Sequence, residues 1–522
     1  MTFKLTYSTM FDPPEEMHTR FEAALAEVRA TLGTTHPMHV EGRDVDAAHT
    51  YEKKSPVDRR FVLGRFPLGD AKDVDRAIAA AKRAFPAWRA TPAFKRVRLA
   101  HRAAELIEER VYAIGAALAL EVGKNRMEAL GETQETADFF STYAAELERN
   151  QAYDRVLPDD PLPSHRSHNR SVLKPYGVWA VITPFNFPLA LAGGPVAAAL
   201  LTGNTVVLKG ATDTPWAGRL LADCLRDAGF PPGVFNYVTG RGSVVGEALT
   251  NHPDLAGLTF TGSYDVGMGL YRKMAAGVHP RPCITEMGGK NACIVTARGD
   301  VERAATGIVR SAYGLTGQKC SALSRVYVEE DAAEGLLAKV LEKTRAIRVG
   351  DPCLRENWMG PVINEGAAES YSRYCARLRE NGGRILLGGA RLTDADLAHG
   401  HFVAPTVAEA APDHPLFREE MFQPILMVAR VKDVREGVAL ANDSPLGLTA
   451  GCYGGDEDVR YFLDHIEAGV TYVNRPQGAT TGAWPGYQPF GGWKGSGSTG
   501  KAIGSFYYLP LYLREQSQTV VE

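Results

Sequence analysis

Residues 178–209 read VWAVITPFNFPLALAGGPVAAALLTGNTVVLK, and this stretch decides the fold. Val178–Ile182 and Thr205–Lys209 are short β-branched runs of strand character, and Leu189–Leu201 between them is a small-residue helix. A strand, a helix and a second strand at this spacing make a parallel pair with a helical crossover. The alternation continues downstream. Pro215–Ala228 reads as a helix with proline in its first turn. Gly233–Val238 reads as a strand, and Gly240-Arg-Gly-Ser-Val-Val-Gly246 opens a helix. Leu255–Thr261 is a further strand, and Gly262-Ser-Tyr-Asp-Val-Gly267 opens another helix. The class is therefore α/β, a parallel sheet with helices on both faces that binds ligands at the carboxyl ends of its strands.

Upstream of this core, residues 1–30 read as an amphipathic helical arm. Helical patterning returns at Lys72–Arg89, Phe94–Leu120 and Arg126–Leu147. Pro158-Asp-Asp-Pro-Leu-Pro163 breaks the pattern as a linker or an extended arm. Downstream, a second alternating region runs from about Ala292 to Gly469. Asn474–Gly500 is rich in glycine and aromatic residues without periodicity, which marks a functional segment.

The chain has 522 residues, enough for two to four structural units. With 45% hydrophobic and 23% charged residues it has the balance of a soluble globular protein. A formal net charge of −3 gives no field that attracts nucleic acid or an acidic membrane. The longest apolar runs, such as Val178–Ile182 and Ala197–Leu201, are too short to span a bilayer. The N-terminus soon meets Asp12, Glu15 and Glu16 and lacks a secretory signal, so a cytoplasmic location is expected. The seven cysteines are odd in number and form no Cys-x-x-Cys, which indicates neither a disulfide framework nor a zinc site. His36 and His39, and His165 and His168, are spaced by three without further ligands nearby, and no metal site is expected.

Cys320 lies in Gly317-Gln-Lys-Cys-Ser321. Read alone it is a buried thiol, but a neighbouring glycine gives a carbonyl room to approach, and a cation or helix end nearby lowers a thiol pKa. A thiolate that attacks an aldehyde needs an oxyanion donor, a general base and a dinucleotide to receive hydride. Each has a candidate. Asn186, in Thr183-Pro184-Phe185-Asn186-Phe187-Pro188, supplies an amide donor on a loop fixed by two prolines; read alone it caps a turn. Glu286 precedes Met287-Gly288-Gly289 and is the candidate base; read alone it is a solvated carboxylate before a turn. Phe260-Thr-Gly262-Ser263 suits an anion at a helix N-terminus, or a simple serine cap. Gly240-x-Gly242-x-x-x-Gly246 departs from the usual dinucleotide spacing.

Together these segments resemble the aldehyde dehydrogenase superfamily over nearly the whole chain. The matches are Pro184-Phe-Asn-Phe-Pro188, Gly203-Asn-Thr-Val-Val-Leu-Lys209, Phe260-Thr-Gly-Ser263, Glu286-Met-Gly-Gly-Lys290, Gly317-Gln-Lys-Cys320, Glu419-Glu-Met-Phe422 and Pro489-Phe-Gly-Gly492, in the family's order. The resemblance implies a Rossmann-like cofactor domain (1–149 and 173–286), an α/β catalytic domain (287–499) and a β-arm that joins subunits of a homo-oligomer (150–172 and 500–522). It implies that Cys320 is the nucleophile, that Asn186 and the Cys320 N–H form the oxyanion hole, and that Glu286 activates the deacylating water. The cofactor, NAD or NADP, would be held by Thr183, Pro184, Phe185, Lys209, Thr212, Gly242, Gly246, Phe260, Gly262, Ser263, Gly288, Glu420 and Phe422.

Within the superfamily the likeness is strongest to the 1-pyrroline-5-carboxylate dehydrogenase branch, carried by Glu121-Val-Gly-Lys-Asn125, Gly317-Gln-Lys-Cys-Ser-Ala322 and Thr481-Gly-Ala-Trp-Pro-Gly-Tyr-Gln-Pro-Phe490. It implies L-glutamate γ-semialdehyde as substrate in proline catabolism, with a separate proline dehydrogenase as partner. Ser321, Gly482 and Ala483 would hold the substrate carboxylate, and Phe187 and Phe490 would flank its aliphatic stem. Another semialdehyde, or an aliphatic or aromatic aldehyde, is the alternative substrate. Three positions depart from the family pattern. Gly210-Ala-Thr212 stands where much of the family has Pro-x-Glu, which bears on NADP. Gln423 replaces a common glycine, and Trp484-Pro485 replaces a small apolar pair.

Overall fold

All five residues of Thr205–Lys209 are buried, so this strand lies inside a sheet covered on both faces. The structure, a computed structural model, describes every residue except 1–4, 7–8, 162–163 and 477–483. Thr205–Lys209 pairs in parallel with Val178–Ile182 and with Phe235–Val238. On the other side of Val178–Ile182 come Leu255–Thr261 and then Cys283–Glu286, also parallel. Met38–Val40 and Arg43–Val45 close the far edge in antiparallel fashion, giving seven strands. The Ala71–Ala90, Ala190–Leu201 and Pro215–Asp227 helices pack against these strands. The chain runs from Val178–Ile182 outward in one direction, then returns to build in the other. That reversal opens a crevice at the carboxyl ends of Val178–Ile182 and Leu255–Thr261.

A second seven-stranded sheet follows. Its order is Arg384–Leu387, Thr406–Glu409, Ile425–Val431, Leu323–Glu329, Asn291–Val295, Thr449–Tyr453 and Val470–Val473, parallel except at the Arg384–Leu387 edge. Asn291–Val295 and Thr449–Tyr453 within it are buried at every position, so it too is covered on both faces. Apart from both, Asp154–Leu157, Ser167–Pro175 and Leu513–Val521 form a three-stranded antiparallel sheet. Its longest pairing runs in register from Leu513 opposite Pro175 to Val521 opposite Ser167. No helix among the described residues is long and apolar enough to cross a membrane.

Several helical expectations are corrected. The helix expected within residues 1–30 is Glu15–Ala30, and it does not stand off as an arm: it buries Met17, Phe21 and Leu25 while packing on the Val111–Val122 helix. The expected single helix over Phe94–Leu120 is two, Ala93–Glu109 and Val111–Val122. The first is amphipathic, whereas Ile114–Val122 is buried all round, so the chain must turn at Arg110 to carry its second part into the core. Arg110 stays outside and pairs with Asp227 at 2.6 Å. The helix expected after Gly240 begins as a wide turn over Gly242–Gly246 before the short Glu247–Asn251 helix. Within Asn474–Gly500 the described part holds one short strand, Trp493–Lys494, paired with Leu446–Gly447.

Candidate active site

The crevice is a cavity of about 830 Å³ between the two sheets. Thr183, Pro184, Phe185 and Asn186 enter it from the loop after Val178–Ile182. Lys209 and Thr212 come from the end of Thr205–Lys209, and Phe260, Gly262 and Ser263 from the end of Leu255–Thr261. Gly242 and Gly246 line it where a Cβ would meet nothing within 4 Å, so the wall is open there. Gly288, Cys320, Glu420 and Phe422 enter from the opposite side. The expected cofactor residues thus share one cleft with Cys320 and Asn186.

Local chemistry differs along it. Ser263 is the N-cap residue of the Tyr264–Ala275 helix, yet its hydroxyl makes no capping hydrogen bond, which leaves the first-turn N–H groups open to an anion. Lys209 donates to the Gly210 carbonyl at 2.9 Å. Burial lowers its pKa to about 8, against the opposing pull of Asp213, which lines the same cleft. Thr212 turns its hydroxyl to the Gly240 carbonyl at 3.2 Å. A Cβ on Gly288 would lie 2.0 Å from Glu420 Oε2, so only glycine admits that carboxylate, which accepts from Gly289 N–H at 2.9 Å. Phe422 has left-handed backbone (φ 55°) and packs its ring edge-on to Phe185 at 5.9 Å.

All seven thiols are free; six are buried and Cys320 alone is partly exposed. It follows a strained turn. Leu315, Thr316 and Gly317 are consecutively left-handed (φ 47°, 56° and 66°), a conformation that costs about 1–2 kcal/mol for each non-glycine residue. The surroundings hold it. Thr316 donates to the Gly360 carbonyl at 2.9 Å, and the Gln318 carboxamide accepts from Ile363 N–H at 2.9 Å. Asn186 Nδ2 donates to the Gln318 carbonyl at 2.9 Å, which brings the two expected halves of an oxyanion hole together. Asn291 Nδ2 donates to the carbonyls of Cys320 (2.7 Å) and Ala322 (2.9 Å).

The thiol itself corrects an expectation. Neighbouring Lys319 does not lower its pKa, because Lys319 Nζ turns away to Glu128 Oε1 at 2.8 Å. Burial pushes the Cys320 thiol up to about 12, with Glu420 and Glu286 adding to it and the N–H groups of Ser321 and Cys320 acting in the opposite sense. Glu286 ends the Cys283–Glu286 strand; it does not lie exposed after a helix. Burial holds its carboxyl well above the usual range, against a hydrogen bond from Gly492 N–H, and its Oε2 has no partner.

Ser321 is buried directly beside Cys320. Phe187 packs beneath Lys124, whose Nζ is 3.4 Å from the ring centroid. Phe490 packs against the core and pairs its backbone with Ile503. Gly482 and Ala483 lie outside the described residues. Trp484 is buried and donates to Asp138 Oδ2 at 2.7 Å, which gives this larger residue a defined seat. Gln423 donates to the Ala367 carbonyl at 2.9 Å, tying the Phe422 turn to the start of the Glu365–Glu380 helix.

Several residues that shape the site carried no sequence signal of their own. Glu128 and Glu132 are buried on the Arg126–Arg149 helix and form ion pairs with Lys319 and Lys124 at 2.8 and 2.7 Å. Charged residues on a helix read as solvent-facing unless a partner is known, and these partners are distant in sequence or hidden in a loop. Asn291 had one available signal, a polar residue opening an otherwise apolar strand.

A thiol, an amide donor, a buried carboxylate and a dinucleotide-sized cleft in this arrangement suit covalent oxidation of an aldehyde. The model of the aldehyde dehydrogenase family matches residues 44–517. The chain belongs to the aldehyde dehydrogenase family. It is 36% identical over 509 residues to a 1-pyrroline-5-carboxylate dehydrogenase of Geobacillus sp. (strain WCH70), covering 96% of each chain. It is similar in structure to the 1-pyrroline-5-carboxylate dehydrogenase from Thermus with bound NAD, with a TM-score of 0.92 and 34% identity over 98% of this chain and 97% of that one. It also matches proline utilization A from Bdellovibrio bacteriovorus, with a TM-score of 0.91 and 31% identity, covering 97% of this chain and 52% of that one. The aldehyde dehydrogenase fold expected from the sequence is thereby established.

Proposed function

We propose that this chain oxidises L-glutamate γ-semialdehyde, the open form of 1-pyrroline-5-carboxylate, to L-glutamate with NAD as hydride acceptor. The observation that carries the chemistry is the meeting of Cys320, the one partly exposed thiol, with Asn186 in a cleft also lined by Ser263 and Glu420. The names of the relatives, at 36% identity over 96% of both lengths, support the substrate. The uncapped start of the Tyr264–Ala275 helix and the open wall at Gly242 and Gly246 fit a dinucleotide pyrophosphate. NAD, when bound, supplies the acceptor for the hydride that leaves the substrate carbon.

The chain's own groups do the rest. Cys320 gives up its proton to solvent and, as the thiolate, attacks the aldehyde carbon to form a thiohemiacetal. The oxyanion is met by Asn186 Nδ2 and the Cys320 N–H. After hydride loss the carbon is a thioester. Glu286 takes a proton from water, which attacks the thioester and releases carboxylate and thiol; burial raises its pKa and so makes it a stronger base than an exposed carboxylate. Ser321, with Gly482 and Ala483, binds the substrate carboxylate, while Phe187 and Phe490 border the stem. The cofactor is NAD in preference to NADP, because Asp213 lines the cleft and its charge acts on Lys209, where a 2′-phosphate would meet repulsion. The exposed three-stranded sheet supports a subunit-joining arm, and the family likeness supports a cytoplasmic homo-oligomer that receives its substrate from a separate proline dehydrogenase.

The test is kinetic. Glutamate semialdehyde should exceed pentanal in kcat/KM by at least ~100-fold, because a site built for a polar head rejects analogues that leave its groups unpaired. Cys320→Ala should retain under ~1% of kcat while still binding NAD, a loss above ~2.7 kcal/mol. Equal kcat/KM for the two aldehydes would overturn the substrate, and turnover by Cys320→Ala would overturn the nucleophile.

A further inference from the structure

Two carboxylates on one helix reach the two loops that meet at Cys320. Glu128 and Glu132 are four residues apart on the Arg126–Arg149 helix, hence on one face, and both are buried. Glu128 Oε1 pairs with Lys319 Nζ at 2.8 Å, and its Oε2 accepts from Leu315 N–H at 3.3 Å. It therefore grips the left-handed turn before Cys320 at two points. A Cβ on Gly314 would lie 3.0 Å from Lys319 Nζ and 3.1 Å from Glu128 Oε1, so the ion pair lies against the backbone at that glycine.

Glu132 does the same for the other loop. Its Oε1 accepts from Leu189 N–H (2.8 Å) and Ala190 N–H (3.1 Å), the start of the helix that follows Asn186. Its Oε2 pairs with Lys124 Nζ at 2.7 Å, and Lys124 lies over the ring of Phe187. The two loops are joined by the hydrogen bond from Asn186 Nδ2 to the Gln318 carbonyl, and Lys319 Nζ lies 5.8 Å from the Phe187 ring centroid.

We propose that Glu128 and Glu132 are positioning residues that set the two halves of the oxyanion hole, the Asn186 amide and the Cys320 N–H, against each other. This rests on Cys320 as the nucleophile. One rigid turn of helix fixes the separation of the carboxylates; Glu128 holds its loop through one N–H and an ammonium, and Glu132 through two N–H groups and an ammonium. A donor displaced by a fraction of an ångström still binds substrate but loses transition-state stabilisation.

The test uses paired substitutions that bury no lone charge, Glu128→Leu/Lys319→Met and Glu132→Leu/Lys124→Met, and the four-fold combination. Each pair should lower kcat at least ~10-fold while the NAD Kd and aldehyde KM stay within ~3-fold. Because both act on the same hole, the combination should lose much less than the product of the two losses. The milder Glu128→Gln and Glu132→Gln, which keep an acceptor for the N–H groups, should lose less than the pairs and serve if a pair does not fold. A kcat within ~2-fold of the parent in folded, NAD-binding variants, or losses that multiply, overturns the proposal. Cys320→Ala separates the two claims: turnover there defeats the nucleophile assignment, whereas an inactive Cys320→Ala beside unimpaired paired variants defeats the positioning alone.

Discussion

Asn186→Ala should damage stability and catalysis by separate routes. Asn186 is 2% exposed, and its Nδ2 donates to the Gln318 carbonyl at 2.9 Å. An amide carries two N–H groups, so one serves the loop and the other is left for the oxyanion. Truncation leaves the carbonyl of a buried residue without its donor, which costs about 1–3 kcal/mol of folding free energy. The lost oxyanion donor lowers kcat by roughly 10²–10³, about 2.7–4 kcal/mol in the barrier. Urea unfolding reads the first effect, and the steady-state appearance of reduced nicotinamide reads the second. Asn186→Asp is the stricter comparison. It keeps the shape but sets a carboxylate oxygen against the Gln318 carbonyl and has no donor, so it should lose more on both scales. If Asn186→Ala lowers the urea midpoint while kcat stays within about threefold, the residue is a strut between loops and not an oxyanion donor. A loss confined to KM would assign it to ground-state binding.

Glu286 should give the rate of thioester hydrolysis a basic limb. The base works only when ionised and burial raises its pKa, so the rate should fall as pH drops through a value well above the usual carboxylate range. In Glu286→Gln, stopped-flow should show a burst of reduced nicotinamide, then a slow phase without that limb; an unchanged steady state would remove Glu286 from deacylation. Asp213→Asn should raise kcat/KM for NADP by about tenfold or more with little change for NAD, and a parent enzyme that already prefers NADP would refute the role given to Asp213. Gly288→Ala would set a methyl 2.0 Å from Glu420 Oε2 and 2.5 Å from its Cδ, forcing the carboxylate off Gly289 N–H. NAD affinity, titrated by fluorescence, should weaken by about tenfold or more for the loss of one charge-assisted bond; an unchanged Kd would show that Glu420 does not shape the cofactor site.

The sequence by itself determined the sheet and the inventory of the site. Val178–Ile182, Thr205–Lys209 and Leu255–Thr261 were legible as strands to the residue, because short, mostly apolar runs that alternate with helical segments read as strands buried on both faces. The loop residues Asn186, Ser263 and Cys320 stood out because glycines and prolines around them serve local backbone needs that local sequence displays. The turn at Arg110 was not legible, since it follows from what each half of that helical stretch packs against. Only the tertiary structure decided which charges are buried and where they point. Lys319 looked like a partner for the thiol, but Glu128, 191 positions earlier, takes it at 2.8 Å, and the thiol rises where it was expected to fall. Glu286 looked solvated and is buried with an unpartnered oxygen. Desolvation and ion pairing depend on the distance between groups in space, and the chain specifies that distance only after both sheets have closed around the cleft.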